Sequence, residues 1–249
     1  MNLTKIHLAI CALQHSNSKF KSPQATNKFK IQNIKVSKGL DMQIIDYYFD
    51  FLSPYSYFSF KNLDKLPKNI AINYKPVAMG TVFNHWDMKG PGEIAPKRSY
   101  MLKQCFIYAA QKSIDFIPPK NHPFNPLYAL RLATKACSQE SQKEMIKVLF
   151  NSCWAQGIEL GEPDELKIIL QKNNLDPTLV DKTFEKEVKL ELKRNTKEAI
   201  SKNVFGVPSF CVDHELFWGN DSIENLISFL SGDFVSWDKE LFNSRINPV

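Results

Sequence analysis

No two of the five cysteines, Cys11, Cys105, Cys137, Cys153 and Cys211, stand close enough for a CxxC motif or a zinc knuckle. Their odd number and wide scatter argue for reduced, mostly buried thiols and a reducing, cytoplasmic compartment. The five histidines are equally scattered, so no metal is expected. No apolar run reaches the ~18 residues of a membrane helix. Internal repeats and low-complexity tracts are both missing. The formal charge of +6 suggests nucleic acid, but its distribution does not. Residues 1–41 hold seven lysines and a single acid, Asp41; removing them from the 32 basic and 26 acidic residues leaves 25 of each. A neutral body without a basic stripe binds phosphate backbones poorly. A small molecule is therefore the expected partner, with no nucleic acid and no membrane, and a homodimer is compatible with this reading.

Residues 1–41 show no clear periodicity. They read as a disordered basic extension, or as a start placed upstream of the true one at Met42, with a weak targeting sequence as the alternative. From there the chain has a clear order. Residues 43–49 are aromatic and β-branched, as a buried strand is. Ser53 then stands where an N-cap belongs, with Pro54 in the first helical position. Tyr55, Phe58, Leu63 and Leu66 space an amphipathic helix that Pro67 ends. Residues 70–77 read as a second strand. Helical spacing then dominates 97–112, 126–138, 140–156, 163–172 and 177–200. Strand chemistry returns at Gly206–Val212, turns near His214 and continues through Leu216-Phe217-Trp218. Asn220-Asp221-Ser222 opens a last helix reaching about Ser231.

This order predicts an α/β chain: a thioredoxin-like fold with an all-helical domain inserted between its β-α-β and β-β-α halves. The expected boundaries are 42–93 and 201–232 for the thioredoxin-like domain, 94–200 for the insertion and 233–249 for a tail.

Two constellations carry chemistry. In redox proteins of this fold a CxxC tetrad occupies the junction between the first strand and helix, where exposed amides and the helix dipole stabilise a thiolate. Here the tetrad is Ser53-Pro54-Tyr55-Ser56. Dithiol chemistry at this position is excluded, while the geometry that favours an anion can remain. Alone, Ser53 reads better as an ordinary cap, because Ser-Pro is a common helix start. The second constellation is Gly206-Val207-Pro208-Ser209-Phe210, a proline at a strand start. In the thioredoxin fold this proline is cis and faces the active-site helix. Ser53 is thus expected within a side-chain length of Pro208, and the Val207–Pro208 bond is expected to be cis. Weaker candidates are His85 with Trp86 and Asn125 with Arg131, as borders of a pocket. Glu185 and Lys189 suit a solvated helix face.

With these motifs in place, the sequence resembles the 2-hydroxychromene-2-carboxylate isomerase family, and more distantly kappa-class glutathione transferases and DsbA-type oxidoreductases. The resemblance covers roughly residues 42–232. It rests on Asp50–Tyr57, Lys75–Gly80, Gly90–Arg98, His122–Leu127, Gly206–Phe210 and Phe217–Asp221, in that order and spacing. It implies a glutathione-dependent isomerase of a small, aromatic or unsaturated carboxylic acid. By resemblance, Ser53 is the catalytic serine beside the glutathione sulfur. Val207, before Pro208, pairs through its backbone with the cysteinyl part, and Lys97 reaches the same region. Asn220, Asp221 and Ser222 hold the γ-glutamyl end. Relatives often carry an asparagine before the lysine, where this chain has Asp87-Met88-Lys89. The alternatives are a kappa-like glutathione transferase and a non-catalytic thioredoxin-fold module that binds a peptide or partner along the Pro208 edge.

Overall fold

Gln43–Phe49 is aromatic and buried toward its end, at Tyr47, Tyr48 and Phe49, as a strand covered on both faces is, and it forms the central strand β1. The computed structural model describes residues 43–232. The expectations for residues 1–41 and for the tail 233–249 lie outside the described residues. β1 pairs in parallel with β2, Ile70–Pro76, from Gln43 opposite Ile70 to Phe49 opposite Pro76. On its other side it runs antiparallel to β3, Ser209–Val212, with Tyr47 opposite Phe210. β4, Glu215–Trp218, completes the order β2-β1-β3-β4. Asp213 and His214 join β3 to β4 with φ of 49° and 68°, the left-handed pair that a two-residue hairpin turn requires.

Helix α1, Pro54–Asn62, crosses from β1 to β2. Its spacing suggests an amphipathic helix, but the fold buries it on nearly all sides, Ser56 through Phe60 included. Tyr47 OH donates to the Ser56 carbonyl at 2.9 Å and shares a 2.7 Å hydrogen bond with Ser59 Oγ, while Ser56 Oγ has no partner among the described residues. The α-helical part stops at Asn62, and a 3-10 turn, Leu63–Lys65, carries the chain toward Pro67.

The remaining helices are α2 (Met79–His85), α3 (Ala95–Lys112), α4 (Leu127–Leu132), α5 (Lys135–Ser138), α6 (Gln142–Phe150), α7 (Pro163–Lys172), α8 (Leu179–Lys182), α9 (Lys186–Ser201) and α10 (Ile223–Leu230). Three differences from the sequence reading stand out. The segment 126–138 is broken between α4 and α5, where Thr134 turns extended and its Oγ1 caps the Cys137 amide at 3.3 Å. The segment 177–200 is broken at Glu185, also extended, between α8 and α9. α2 was not expected. The segment 140–156 runs on from α6 into a π-helical turn, Asn151–Ala155, that carries Cys153 and Trp154.

The sheet and the helical block share one core. Phe51 and Phe49 pack on Phe150 with ring centres 4.7 and 5.6 Å apart, and the same cluster takes in Trp154, Leu166 and Met145. The division at residues 94 and 200 is therefore one of chain order across a common interior. Among the described residues no helix is long and apolar enough to cross a membrane.

Candidate active site

The segment from Asp50 to Ser53 leaves β1 and enters α1, and every residue of it is tied down. Asp50 is fully buried; its Oδ1 accepts the Leu52 N–H at 2.9 Å and its Oδ2 the Met79 N–H at 3.0 Å. The Phe51 carbonyl accepts Trp154 Nε1–H at 2.9 Å. The Leu52 carbonyl lies 2.8 Å from His122 Nε2, and the Ser53 N–H donates to the Asp50 carbonyl at 3.1 Å. A carbonyl can only accept, so Nε2 carries the imidazole proton. Burial lowers the His122 pKa and keeps the ring neutral.

Ser53 caps α1: its Oγ accepts the Ser56 N–H at 3.2 Å and donates to the Val207 carbonyl at 3.2 Å. The Val207–Pro208 peptide is cis. The two constellations, 154 residues apart for this pair, thus meet as the sequence suggested. Because Pro54 has no N–H, the first free helix amide is that of Tyr55, one residue past the serine.

The turn after β4 closes the third side. The Gly219 N–H donates to the Pro208 carbonyl at 2.9 Å. Asn220 Oδ1 accepts from Asn62 Nδ2 at 3.0 Å, which docks the 3-10 turn Asn220–Ser222 against α1. Asn62 Nδ2 also donates to the Phe58 carbonyl and to Tyr108 OH. Ser222 Oγ donates to the Gly219 carbonyl at 2.8 Å. Gly219 has φ of 96°, and a methyl group there would collide with Asp221 Oδ1, so the carboxylate folds back over a glycine that must stay bare.

A groove of about 510 Å³ opens beside this corner, lined by Tyr55, Pro91, Pro96, Lys97, Tyr100, Met101 and Trp218. Lys97 thus faces the same space as the start of α1. A Cβ at Gly206 would stand 2.6 Å from Trp218 Nε1, so glycine there lets the indole lie against the chain that leads to Pro208. Tyr55 has its pKa raised to about 12, first by burial and then by Cys105, Tyr100 and Asp221, so its hydroxyl is a donor at neutral pH.

The described cysteines are free, and none is a thiolate near neutrality. Burial pushes Cys105 up to about 12 and Cys137 and Cys211 up to about 11, and holds Cys153 well above its ordinary value. Among the described residues, no cysteine offers a ready thiolate at Ser53.

The structure brings together Ser53, Val207 and Pro208 directly, Asn220, Asp221 and Ser222 through the turn at Gly219, and Lys97 across the groove. The weaker candidates fall elsewhere. Trp86 Nε1 donates to the Val204 carbonyl at 3.0 Å, and His85 lies edge-on to its ring. Asn125 Oδ1 caps the Leu127 amide at 3.2 Å, and Arg131 lies over Tyr128. Lys189 sits over Phe184. In the sequence Asp50 and His122 stand inside motifs with no role of their own, and the bond of Trp154 to Phe51 leaves no local trace. An acid directly after a buried strand, and an indole N–H in a dry core, are the signals that were there.

Asp50 also supplies a pH test. Burial raises its pKa from 3.8 to about 6, against the two amide hydrogen bonds that lower it. The folded state then binds the proton more tightly than the unfolded one. The stability this contributes is fully present below pH 3.8 and is lost as pH rises through about 6. Urea unfolding should show this residue adding about 1 kcal/mol between pH 7 and pH 5. Asp50→Asn should remove that increment; an unchanged difference between the two pH values would mean that Asp50 does not titrate in this range.

A family model for the DSBA-like thioredoxin domain matches residues 44–231. The chain is 26% identical over 191 residues to a 2-hydroxychromene-2-carboxylate isomerase of Sphingobium xenophagum, covering 75% of this chain and 97% of that one. It is 25% identical over 210 residues to glutathione S-transferase kappa 2 of Caenorhabditis elegans, covering 77% and 93%. Among solved structures, a 2-hydroxychromene-2-carboxylate isomerase superposes with a TM-score of 0.68 at 23% identity, over 83% of this chain and 99% of that one. The thioredoxin-like α/β fold expected from the order of elements is the fold of that neighbour.

Proposed function

This chain belongs to the DSBA-like thioredoxin domain family, and from that premise we propose that it is a glutathione-dependent isomerase of a small unsaturated carboxylic acid, similar in activity to 2-hydroxychromene-2-carboxylate isomerase. The observation that carries the reading is the junction of Ser53 Oγ with the Val207 carbonyl, at the start of a buried helix whose tetrad Ser53-Pro54-Tyr55-Ser56 holds no cysteine. The residues fit glutathione. Val207 offers backbone to a peptide, Asp221 folded over bare Gly219 suits an ammonium, and the groove beside them is roomy and largely apolar.

In this proposal Val207 would pair with the cysteinyl backbone. Asp221 would take the γ-glutamyl ammonium, with Asn220 and Ser222 beside it. Bound glutathione would supply a thiolate that adds reversibly to an activated double bond and so permits rotation about it. The chain's own residues prepare for that charge. The helix N-terminus, with the Tyr55 N–H foremost, favours an anion at Ser53. Ser53 has one hydroxyl proton, which the Val207 carbonyl now accepts. A peptide N–H donated to that carbonyl competes for it and releases the serine proton toward the sulfur. Lys97 would reach bound glutathione from across the groove, and Tyr55, Tyr100 and Trp218 offer faces to a flat ring. His122, neutral and held to Leu52, positions the loop and is not asked to act as a base.

A kappa-like glutathione transferase would use the same residues and retain the sulfur in its product; the kappa relative at 25% identity keeps that reading open. The free, buried thiols suit a cytoplasmic enzyme, and a homodimer belongs to the same proposal.

Calorimetric titration with glutathione, followed by product analysis on 2-hydroxychromene-2-carboxylate, tests the reading. Saturable binding and an isomerised product free of glutathione are expected. A glutathione conjugate as product would favour the transferase. No binding at millimolar glutathione would leave a non-catalytic binding module.

A further inference from the structure

We infer that a second cleft, between the β2 edge and α9, binds a small oxyanion. It has a volume of about 320 Å³ and shares no lining residue with the groove at Tyr55 and Lys97. Lys75, Lys135, Glu191, Arg194, Asn195 and Glu198 line it. Both carboxylates are already engaged. Glu191 Oε1 and Oε2 accept the Lys135 and Ala136 amides at 2.9 and 2.7 Å, filling the first turn of α5. Glu198 Oε2 takes Lys75 Nζ at 2.6 Å, while its Oε1 takes Lys202 Nζ at 3.0 Å and Tyr48 OH at 3.1 Å. Lys75 and Lys202 are further matched by Asp46.

What remains is a net positive charge, Lys135 and Arg194 against the one charge of Glu191, whose partners are backbone amides. The Lys135 and Arg194 side chains make no ion pair among the described residues. Asn195 is only 6% exposed, and its Nδ2 has no hydrogen-bond partner among the described residues. A buried amide donor left unmet is costly, and proteins seldom tolerate it without a ligand or water. Two cations without an ion pair beside it outnumber the single charge of Glu191, and one is a guanidinium fork that matches two oxygens at once; together they favour an oxyanion. Phosphate and carboxylate share that chemistry.

The test is an amide NMR titration of the full chain at constant ionic strength, without glutathione, using inorganic phosphate in one arm, succinate in a second and chloride as the control. Saturable shifts at Lys135, Ala136, Arg194 and Asn195 are expected with phosphate, succinate or both, and the stronger arm identifies the preferred oxyanion. Arg194→Ala should weaken binding at least tenfold, and Lys135→Ala with Arg194→Ala should abolish it. Both side chains are exposed, so the fold has no reason to suffer. The inference is overturned if neither oxyanion gives saturable shifts beyond those of chloride, or if the double variant binds as the wild type does. Glutathione titration of the double variant keeps this result separate from the reading of Ser53.

Discussion

Trp154→Ala should lower stability by about 3–5 kcal/mol, the range for emptying a large buried aromatic site. Trp154 is fully buried, lies parallel to Phe116 with ring centres 5.7 Å apart, and borders His122 at 5.4 Å. It also holds the Phe51 carbonyl, two residues before Ser53. Alanine leaves a void and a carbonyl held only by the weak donor Cys153 Sγ at 3.9 Å. Trp154→Phe separates the two effects. It keeps most of the volume and loses only the N–H, so about 1–3 kcal/mol should be lost. Turnover should fall further than the folded fraction does, because the Ser53 loop has lost one anchor. Urea unfolding beside glutathione-dependent turnover reads both; a phenylalanine variant as stable and active as the wild type would remove the anchor from the account.

Ser53→Ala should cost turnover more than any other single methylene-scale change. The helix loses its cap, worth roughly 0.5–2 kcal/mol, and the fold persists. The developing or resting thiolate loses one aimed donor, an effect of about 10²-fold in turnover where such donors have been removed from anion sites. Glutathione affinity should change far less, because Val207 and the Asn220–Ser222 turn are untouched. Steady-state rates at saturating glutathione, with affinity measured separately, distinguish this from a general loss of binding. Equal losses in both would make Ser53 a structural cap.

The parts of this arrangement that lie within a few residues of one another were legible in the sequence. Strand β1 was read with its observed bounds, and Ser53-Pro54 marked the start of α1, because cap, proline and apolar run are all local. The Gly206–Phe210 segment and a turn near His214 were legible for the same reason. The helix breaks at Thr134 and Glu185 were not. Segments on either side of each break face the same core, so apolar spacing continues through it, while the break itself depends on an Oγ or an extended φ/ψ pair. α2 was missed because seven residues with Gly80 in the second position carry little periodicity. At the site, partners that arrive from elsewhere in the chain could not be read. His122 reaches Leu52 across 70 positions, Trp154 reaches Phe51 across 103, and Asn62 reaches Asn220 across 158. Only the tertiary fold turns these residues from motif members or core fillers into supports of one loop.

The central claim is that the start of α1, with the Ser53 hydroxyl, stabilises a thiolate brought by glutathione. Thiolate absorbance of the bound tripeptide, followed against pH for wild type and Ser53→Ala, tests it most directly. In the wild type the bound thiol should titrate below the ordinary cysteine value of about 8.5, toward the range of about 7.5 or lower found at helix N-termini. In Ser53→Ala the curve should move back up, with the helix amides holding part of the shift. A bound thiol that titrates near 8.5 in the wild type, or two curves that superimpose, would contradict it.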